Sequence, residues 1–343
     1  MFPDLWWSQG AVIGFPDGTI CLGYGDYKDG NIDPALPAFY SPDFFLKSSK
    51  PWRQYSQNIK LKLPPTSPEP RVDSSIPILW EDPNQSQFED VFYALMGCIE
   101  AGILKKGVPY SFLRSNEKMS RMKLKRILQS AIDFAGRFGG MIYGFWDDKG
   151  GMIGVTPETL FKVEGNHLQT MALAGTKSRE FPREALLSDP KELHEHQCVV
   201  DGIKESLLPL GSVDVGELSI LELPTFYHLK TPIQVALNHI PALESLVKYL
   251  HPTPALGAIP KGPGKIWLEK MAELEPRGRY GAPFAYQEGN SVLAVVAIRN
   301  MQWGKAGIRL GAGCGVLKGS QCDREWQEIQ LKCASIKTIL GLR

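Results

Sequence analysis

The segments that favour strands and those that favour helices are clustered in this chain, and that clustering most restricts its fold. Short apolar runs separated by Gly, Pro and Asn turns fill residues 140–176 and 280–316, which predicts consecutive antiparallel strands. Helical periodicity predicts five helices, at about 86–103, 119–137, 190–208, 240–250 and 322–341. A doubly wound parallel fold alternates strand and helix, so the sequence instead predicts an α+β fold with mainly antiparallel sheets.

Charge and composition exclude several classes of protein. The 343 residues carry 38 Lys plus Arg and 37 Asp plus Glu, so the net charge of +1 gives no reason to expect nucleic-acid binding or a membrane surface. No apolar stretch is long enough to span a bilayer, and the first residues lack the pattern of a signal peptide. The six cysteines are scattered without a C-x-x-C pair, which favours reduced thiols. We therefore expect a cytoplasmic protein without nucleic-acid or membrane partners.

The terminal helix places acidic side chains beside an apolar stripe. Glu325, Glu328 and Lys332 follow one another at i, i+3 and i+7 and fall within about 60° of one another on the helix. Carboxylates at the edge of a core are costly unless they are paired or bind a metal, and Mg²⁺ prefers such oxygen ligands. From spacing alone, a surface ion pair between Glu328 and Lys332 is the simpler interpretation.

Three further segments could contribute to a site. The Gly-rich run at 311–315 precedes the terminal helix and could hold an anion, although the motif is weak and a tight turn is its common explanation. Glu195 in the His-Glu-His run at 194–196 could supply one oxygen ligand, but adjacent histidines point to different faces, so zinc is not expected. Gly175 ends a strand and permits close backbone approach.

Nine segments in order resemble the chorismate-utilising enzymes, the family of isochorismate, salicylate, anthranilate and aminodeoxychorismate synthases. They are TPETLFKVEG, LAGT, HEHQCVVDGI, HLKTPI, LHPTPALG, RGRYGAPFAY, VVAIRN, GAGCGV and DREWQEIQLK. The resemblance implies two large, packed, mainly antiparallel sheets flanked by helices, with the active site in a deep cleft. It also implies one Mg²⁺ that bridges protein carboxylates and the ring carboxylate of chorismate.

The resemblance further implies how the chain is divided. It runs from about residue 88 to the C-terminus, so we expect one chorismate-binding domain over 1–343, with 86–343 as the family core. Residues 1–85 would be a shortened, divergent N-terminal part of the same fold. The proline-rich run LPPTSPEP at 63–70 resists helix and central strand, and is expected to be a crossing segment of that domain.

The resemblance assigns a role to each matching residue. Glu195 and Glu328 would bind the metal, with Glu325 acting directly or through water, which gives the acids of the terminal helix a purpose. The residues that would contact the substrate or line its pocket are Gly175, Thr176, His228, Thr253, Tyr280, Arg299, Gly313 and Lys332. Arg279 stands where the family usually has Trp, and we expect it to line the site.

Two positions favour the isochorismate reaction within the family. Lys106, in GILKKGVPYSF, falls where isochorismate and salicylate synthases carry a lysine, with Lys105 as the alternative. Ala174 stands where aminodeoxychorismate synthases that form a covalent adduct carry a lysine. Glu158 would then be the general acid that protonates the departing 4-hydroxyl, with its pKa raised by burial, and Lys106 the base that activates water at C2.

Other reactions stay open at this point. The chain could be an ammonia-using anthranilate or aminodeoxychorismate synthase with a glutaminase partner, a salicylate synthase that also eliminates pyruvate, or a chorismate-binding protein without turnover. An isochorismate synthase would serve menaquinone or siderophore synthesis.

Overall fold

The strands are short and mostly follow one another as hairpins, as the clustered turns predict. The computed structural model describes residues 3–62 and 75–343, so the 63–70 segment lies outside the described residues. The strands are β1 (Gly10–Gly14), β2 (Thr19–Asp29), β3 (Ala38–Tyr40), β4 (Trp52–Lys62), β5 (Lys106–Gly107), β6 (Tyr110–Ser115), β7 (Met141–Trp146), β8 (Gly151–Thr156), β9 (Thr159–Glu164), β10 (His167–Ser178), β11 (Gly211–Val215), β12 (Ser219–Glu222), β13 (Phe226–Leu237), β14 (Ala258–Ile259), β15 (Pro283–Glu288), β16 (Ser291–Val296), β17 (Asn300–Gly304), β18 (Gly307–Gly313) and β19 (Val316–Leu317).

All five predicted helices are present, and two helices were not predicted. The helices are α1 (Gln85–Glu100), α2 (Arg121–Phe138), α3 (Glu184–Leu187), α4 (Pro190–Leu207), α5 (Leu243–Leu250), α6 (Lys261–Leu274) and α7 (Cys322–Leu340). The unpredicted α6 begins with Lys-Gly-Pro-Gly, and Pro263 is tolerated because first-turn N–H groups need no partner inside the helix. Among the described residues, no helix is long and apolar enough to cross a membrane.

One large sheet dominates the described part of the chain, and all of its strand pairs are antiparallel. Its strands lie in the order β11-β13-β10-β9-β16-β15-β3-β4-β2-β1-β7-β8-β17-β18-β6, and β12 adds to β13. The predicted antiparallel α+β fold is therefore confirmed. The two expected sheets are two halves of this one sheet, and the N-terminal strands β1 to β4 join them.

The large sheet folds back so that its halves face each other. Four strands separate β7 from β15 along the sheet, yet the rings of Tyr143 and Phe284 lie 5.5 Å apart. Tyr143 also donates a hydrogen bond to the carbonyl of Ile298 at 2.7 Å. Aromatic and aliphatic side chains, among them Phe39 and Tyr286, fill the space between the halves.

Helices cover the outer faces of both halves. The helices α1, α2 and α7 share a buried apolar cluster with β7, β8 and β18, whereas α4 and α5 pack on β9, β10 and β13. The strand β7 is therefore buried on both faces, which explains its continuous apolar run. The helices α4 and α7 belong to different halves, and the functional residues lie where these helices meet.

Candidate active site

A cleft of about 70 Å³ opens between α4, α7 and the ends of strands from both halves. Its wall draws on segments from residue 157 to residue 336. The structure brings together ten of the thirteen site residues that the sequence indicates: Glu158, Gly175, Thr176, Glu195, His228, Tyr280, Arg299, Gly313, Glu328 and Lys332. Side chains separated by more than 150 residues therefore share one cavity.

Lys106 is fully buried and reaches this cleft through Glu195. It lies on the short strand β5, which pairs with β14 and β19 and ends before Pro109. Its Nζ lies 3.2 Å from Glu195 Oε1 and donates to the carbonyl of Pro254 at 2.7 Å. The neighbouring Lys105 is exposed. Of the two candidate bases, Lys106 is the one beside the site.

Thr253 and Glu325 are not among the residues that line the cleft. Both side chains are buried, at 4% and 3% exposure, and each has one oxygen without a hydrogen-bond partner among the described residues. The other Glu325 oxygen, Oε1, lies 3.2 Å from the ammonium group of Lys191. Glu325 therefore belongs to the site through an ion pair that the sequence analysis did not anticipate.

Lys191 lies among the carboxylates of α4 and α7. Its Nζ is 3.0 Å from Glu192 Oε1, 3.6 Å from Glu195 Oε2 and 3.2 Å from Glu325 Oε1. Asp189 caps α4 by accepting from the first backbone N–H groups, which fixes the turn that carries this lysine. The spacing of Lys191 and Glu195 at i, i+4 is the sequence signal that could have identified this lysine.

The pKa values of the acidic cluster follow from burial and from its lysines. Burial raises the pKa of Glu192 to about 7, and burial together with the charge of Glu328 raises that of Glu325 to about 7. Burial also acts to raise the pKa of Glu195, but Lys106 and Lys191 outweigh it and hold that pKa below its usual range. Glu195 is therefore the firmly ionised member of the cluster.

The donor chemistry of this cluster fits a hard divalent cation. Carboxylate oxygens are the ligands that Mg²⁺ prefers, and the unpartnered, buried Glu325 Oε2 is a donor of this kind. Within the described ranges, no three acidic, His or Cys side chains stand at metal-binding spacing. The ammonium group of Lys191 lies between the carboxylates and supplies the positive charge they need.

Glu158 is a buried acid that also lines the cleft. It precedes β9 and is 3% exposed. Burial raises its pKa to about 8, although the charges of Lys106, Lys332 and Arg299 act against the rise. Glu158 is therefore mostly protonated at neutral pH and can donate a proton into the cleft.

Arg299 and His228 form a polar pair whose proton positions can be deduced. Arg299 donates to His228 Nε2 at 3.3 Å, and an arginine cannot accept, so Nε2 carries the lone pair. The other nitrogen, Nδ1, lies 3.0 Å from Thr176 Oγ1 and must carry the hydrogen. Burial and the nearby cations hold the pKa of His228 well below its usual range. The Thr176 hydroxyl, which accepts this hydrogen, keeps its own proton for another acceptor.

Backbone strain accompanies this pair. Arg299 has φ 55°, in the left-handed region that a bulky residue rarely adopts. Its side chain is buried, and its Nη1 has no hydrogen-bond partner among the described residues. A strained residue with an unpaired buried donor facing a cleft is typical of a binding site.

Glycines allow the walls of the cleft to approach each other. A Cβ atom on Gly315 would lie 1.8 Å from Glu195 Oε1, so any other residue there would displace this carboxylate. Gly175 forms the bulge in β10 with φ 79°. Lys332 contacts Glu328 at 2.5 Å and donates to the carbonyl of Gly313 at 2.8 Å. Gly315 is a site residue that the sequence analysis included only within its Gly-rich run.

Arg279 does not lie along this cleft. The expectation that it lines the active site is wrong, because its side chain points to a second cleft around Phe145 and Gln302. Its Nε donates to the carbonyl of Ser41 at 3.3 Å, on the far side of the β17–β18 hairpin.

The sequence and the fold match those of a known family. The model of the family described as chorismate binding enzyme matches residues 82–341, and the chain belongs to that family. The computed structure superposes on MenF, the menaquinone-specific isochorismate synthase of Escherichia coli, with a TM-score of 0.82 and 19% identity, over 99% of this chain and 91% of that one.

Two sequence relatives carry the comparison further. The salicylate biosynthesis isochorismate synthase of Pseudomonas aeruginosa is 33% identical over 200 residues, which is 55% of this chain and 42% of that protein. The isochorismate synthase EntC of Escherichia coli is 33% identical over 208 residues, which is 57% of this chain and 52% of that protein. The matched segment thus spans about half the length of these relatives.

Proposed function

We propose that this protein converts chorismate to isochorismate, with Mg²⁺ as its cofactor. The observation that carries the proposal is Glu158, a carboxyl group kept protonated by burial in a cleft that also contains Arg299 and Lys332. An acid poised next to cations suits a substrate with two carboxylates and a hydroxyl that must leave. The similarity to isochorismate synthases supports this reaction.

The cationic side of the cleft would bind the carboxylates of chorismate. Arg299 offers a guanidinium with an unpartnered Nη1, and its planar fork matches a carboxylate. The ion pair with Glu328, one turn earlier on α7, fixes the ammonium group of Lys332 at the cleft before a substrate binds. The free proton of the Thr176 hydroxyl adds one more donor.

The reaction is an exchange of hydroxyl groups across the ring. Glu158 donates its proton to the 4-hydroxyl, which leaves as water while the ring double bonds shift. A water molecule adds at C2 and gives its proton to Lys106. One water enters as one leaves, so the product is an isomer of the substrate. Lys106 must be neutral to accept this proton, and its Nζ lies 3.2 Å from Glu195 Oε1 at the edge of the cleft.

Glu195, Glu325 and Glu328 would hold the Mg²⁺, and Glu192 lies within reach of the same cluster. The bound ion would neutralise the ring carboxylate of chorismate and orient it. Lys191 supplies a positive charge to these carboxylates in the structure, and we propose that the metal ion replaces it there.

A paired lysine experiment tests this function. Purified protein is incubated with chorismate and Mg²⁺, and products are identified by mass and by salicylate fluorescence. We expect isochorismate as the product, a loss of at least about 100-fold in kcat for Lys106→Met, and a change below about twofold for the exposed Lys105→Met. Equal activity of the two variants, or no isochorismate from the parent, contradicts the proposal.

The same assay separates the alternatives. Ammonium or a glutaminase subunit is added, and an aromatic amine or aminodeoxychorismate would then indicate an ammonia-using enzyme. Salicylate would show that pyruvate is also eliminated. A rise in Tm with chorismate but without any product would indicate a binding protein. Cytoplasmic location and a role in menaquinone or siderophore synthesis stay predictions.

A further inference from the structure

A second cleft lies on the other side of the β17–β18 hairpin and carries an excess of positive charge. It has a volume of about 720 Å³ and is lined by the partly buried Arg53 and Arg279, with Phe145, Gln302 and Trp303. We call it the arginine cleft. Three acidic side chains also line it, against six basic ones: Asp29, Glu81 and Asp147, against Arg53, Arg114, Lys149, Arg279, Lys305 and Arg309.

The acids of the arginine cleft are engaged by other groups. Asp29 pairs with Lys50 at 3.0 Å, and Asp147 accepts from the Tyr27 hydroxyl at 3.0 Å. Glu81 accepts from Asn116 at 2.8 Å. Within residues 3–62 and 75–343, no carboxylate lies within 4.0 Å of the guanidinium of Arg53 or Arg279, so these two cations have no ion-pair partner there.

Arg53 and Arg279 lie close together despite their like charge. Their guanidinium carbons are 3.7 and 5.0 Å from the centroid of the same Phe145 ring. Burial and the nearby charge of Arg53 lower the pKa of Arg279 to about 10. The Nε and Nη1 atoms of Arg53 are buried and have no hydrogen-bond partner in the described parts of the chain. Both guanidiniums lie over the same ring, and the two unused donors of Arg53 suit a carboxylate.

A buried amide points to the same kind of ligand. Gln302 is 8% exposed, and its Oε1 accepts from the Arg279 backbone N–H at 3.1 Å and from Arg309 at 3.2 Å. These two donors fix the orientation of the amide, so its Nε2 must be the remaining donor, and it has no partner among the described residues. An unpaired buried donor is expensive, and an acceptor in the cleft removes that penalty.

We propose that the arginine cleft binds a small organic carboxylate, independently of the central cleft. Arg53 and Arg279 would hold its two oxygens, Gln302 Nε2 would add a third donor, and the partly exposed Trp303 ring would contact its apolar part. The site shares no lining residue with the central cleft. Binding to the arginine cleft can therefore be measured without turnover, and the result does not depend on the proposed reaction.

Calorimetric titration of the whole protein with benzoate tests the proposal. We expect Arg53→Gln and Arg279→Gln each to weaken binding at least about tenfold. The exposed Lys305→Gln on the same rim, and Arg299→Gln in the central cleft, should change it by less than about twofold. Turnover of chorismate by Arg53→Gln should stay unchanged without benzoate. No binding by the parent protein, or loss in Arg299→Gln with retention in the Arg53 and Arg279 variants, overturns the proposal.

A second variant covers the case in which the arginine variants unfold. Gln302→Glu keeps both accepted hydrogen bonds and adds a fixed carboxylate beside the arginines. We expect it to raise Tm and to abolish benzoate binding, and a variant that still binds benzoate as tightly as the parent refutes the site. Inorganic phosphate is titrated in parallel. Tighter binding of phosphate than of benzoate overturns the assignment to a carboxylate.

Discussion

The raised pKa of Glu158 predicts that protein stability depends on pH in a way that one substitution removes. Burial raises this pKa from 4.5 to about 8, so the folded chain holds a proton that the unfolded chain has released. This proton stabilises the fold fully below pH 4.5, and the stabilisation is lost as the pH rises through about 8.

The size of the change in the free energy of unfolding follows from the difference between the pH of the measurement and the pKa of folded Glu158. One pH unit corresponds to about 1.4 kcal/mol, and about pH 6 lies about two units below the folded pKa. Raising the pH from about 6 to about 9 should therefore lower the free energy of unfolding by about 3 kcal/mol through Glu158 alone.

Urea unfolding of parent and Glu158→Gln at both pH values measures this difference. The stability of the parent relative to the variant should fall by about 3 kcal/mol, because Gln keeps the shape of the side chain without its titration. Glu217→Gln, at an exposed position, is the matched control and should show no such change. A parent-minus-variant difference that is the same at both pH values refutes the reasoning. The catalytic rate of the parent should also fall above about pH 8, as the acid loses its proton.

Three further substitutions test the acidic cluster and the cationic wall. Gly315→Ala places a Cβ 1.8 Å from Glu195 Oε1 and should weaken Mg²⁺ binding at least about tenfold, as measured by calorimetry. The control Gly262→Ala has open space around the new Cβ and should bind Mg²⁺ like the parent. Lys191→Met removes the ion-pair partner of the buried Glu325 and one cation from Glu192 and Glu195, and should destabilise the metal-free protein by about 3 kcal/mol while tightening Mg²⁺ binding; unchanged Tm and affinity would show that this lysine is not their counter-ion. Arg299→Lys keeps the charge but loses the planar fork, and steady-state kinetics should show KM raised by about tenfold or more; an unchanged KM would exclude carboxylate binding there.

Local sequence patterns predicted most helices and strands, because the periodicity that identifies each one lies within a single segment of the chain. The apolar stripe beside Glu325 and Glu328 gave the terminal helix to within a residue or two of Cys322–Leu340. The helix Lys261–Leu274 was missed because its first turn contains Gly-Pro-Gly, which is typical of a loop, and the free N–H positions of a helix start permit it.

The contacts between distant segments were the part that no local pattern could predict. Lys191 and Glu325 lie 3.2 Å apart only because the two halves of the sheet bring α4 and α7 together. The sequence showed an i, i+4 pair on α4 but not the carboxylates that face it from α7. The resemblance located Arg279 in a site motif, yet its side chain points away from that site, since neighbours in a turn diverge.

The strands β1 to β4 lie in the middle of the sheet, so the sheet extends beyond the residues that match the family. The family match covers 82–341, but the strands that join the two walls of the cleft lie before it. A fragment confined to the matched region would leave β15 and β7 as unpaired edges and remove part of the apolar filling between them. The part of the chain before the family match thus carries the strands that connect the two halves of the sheet.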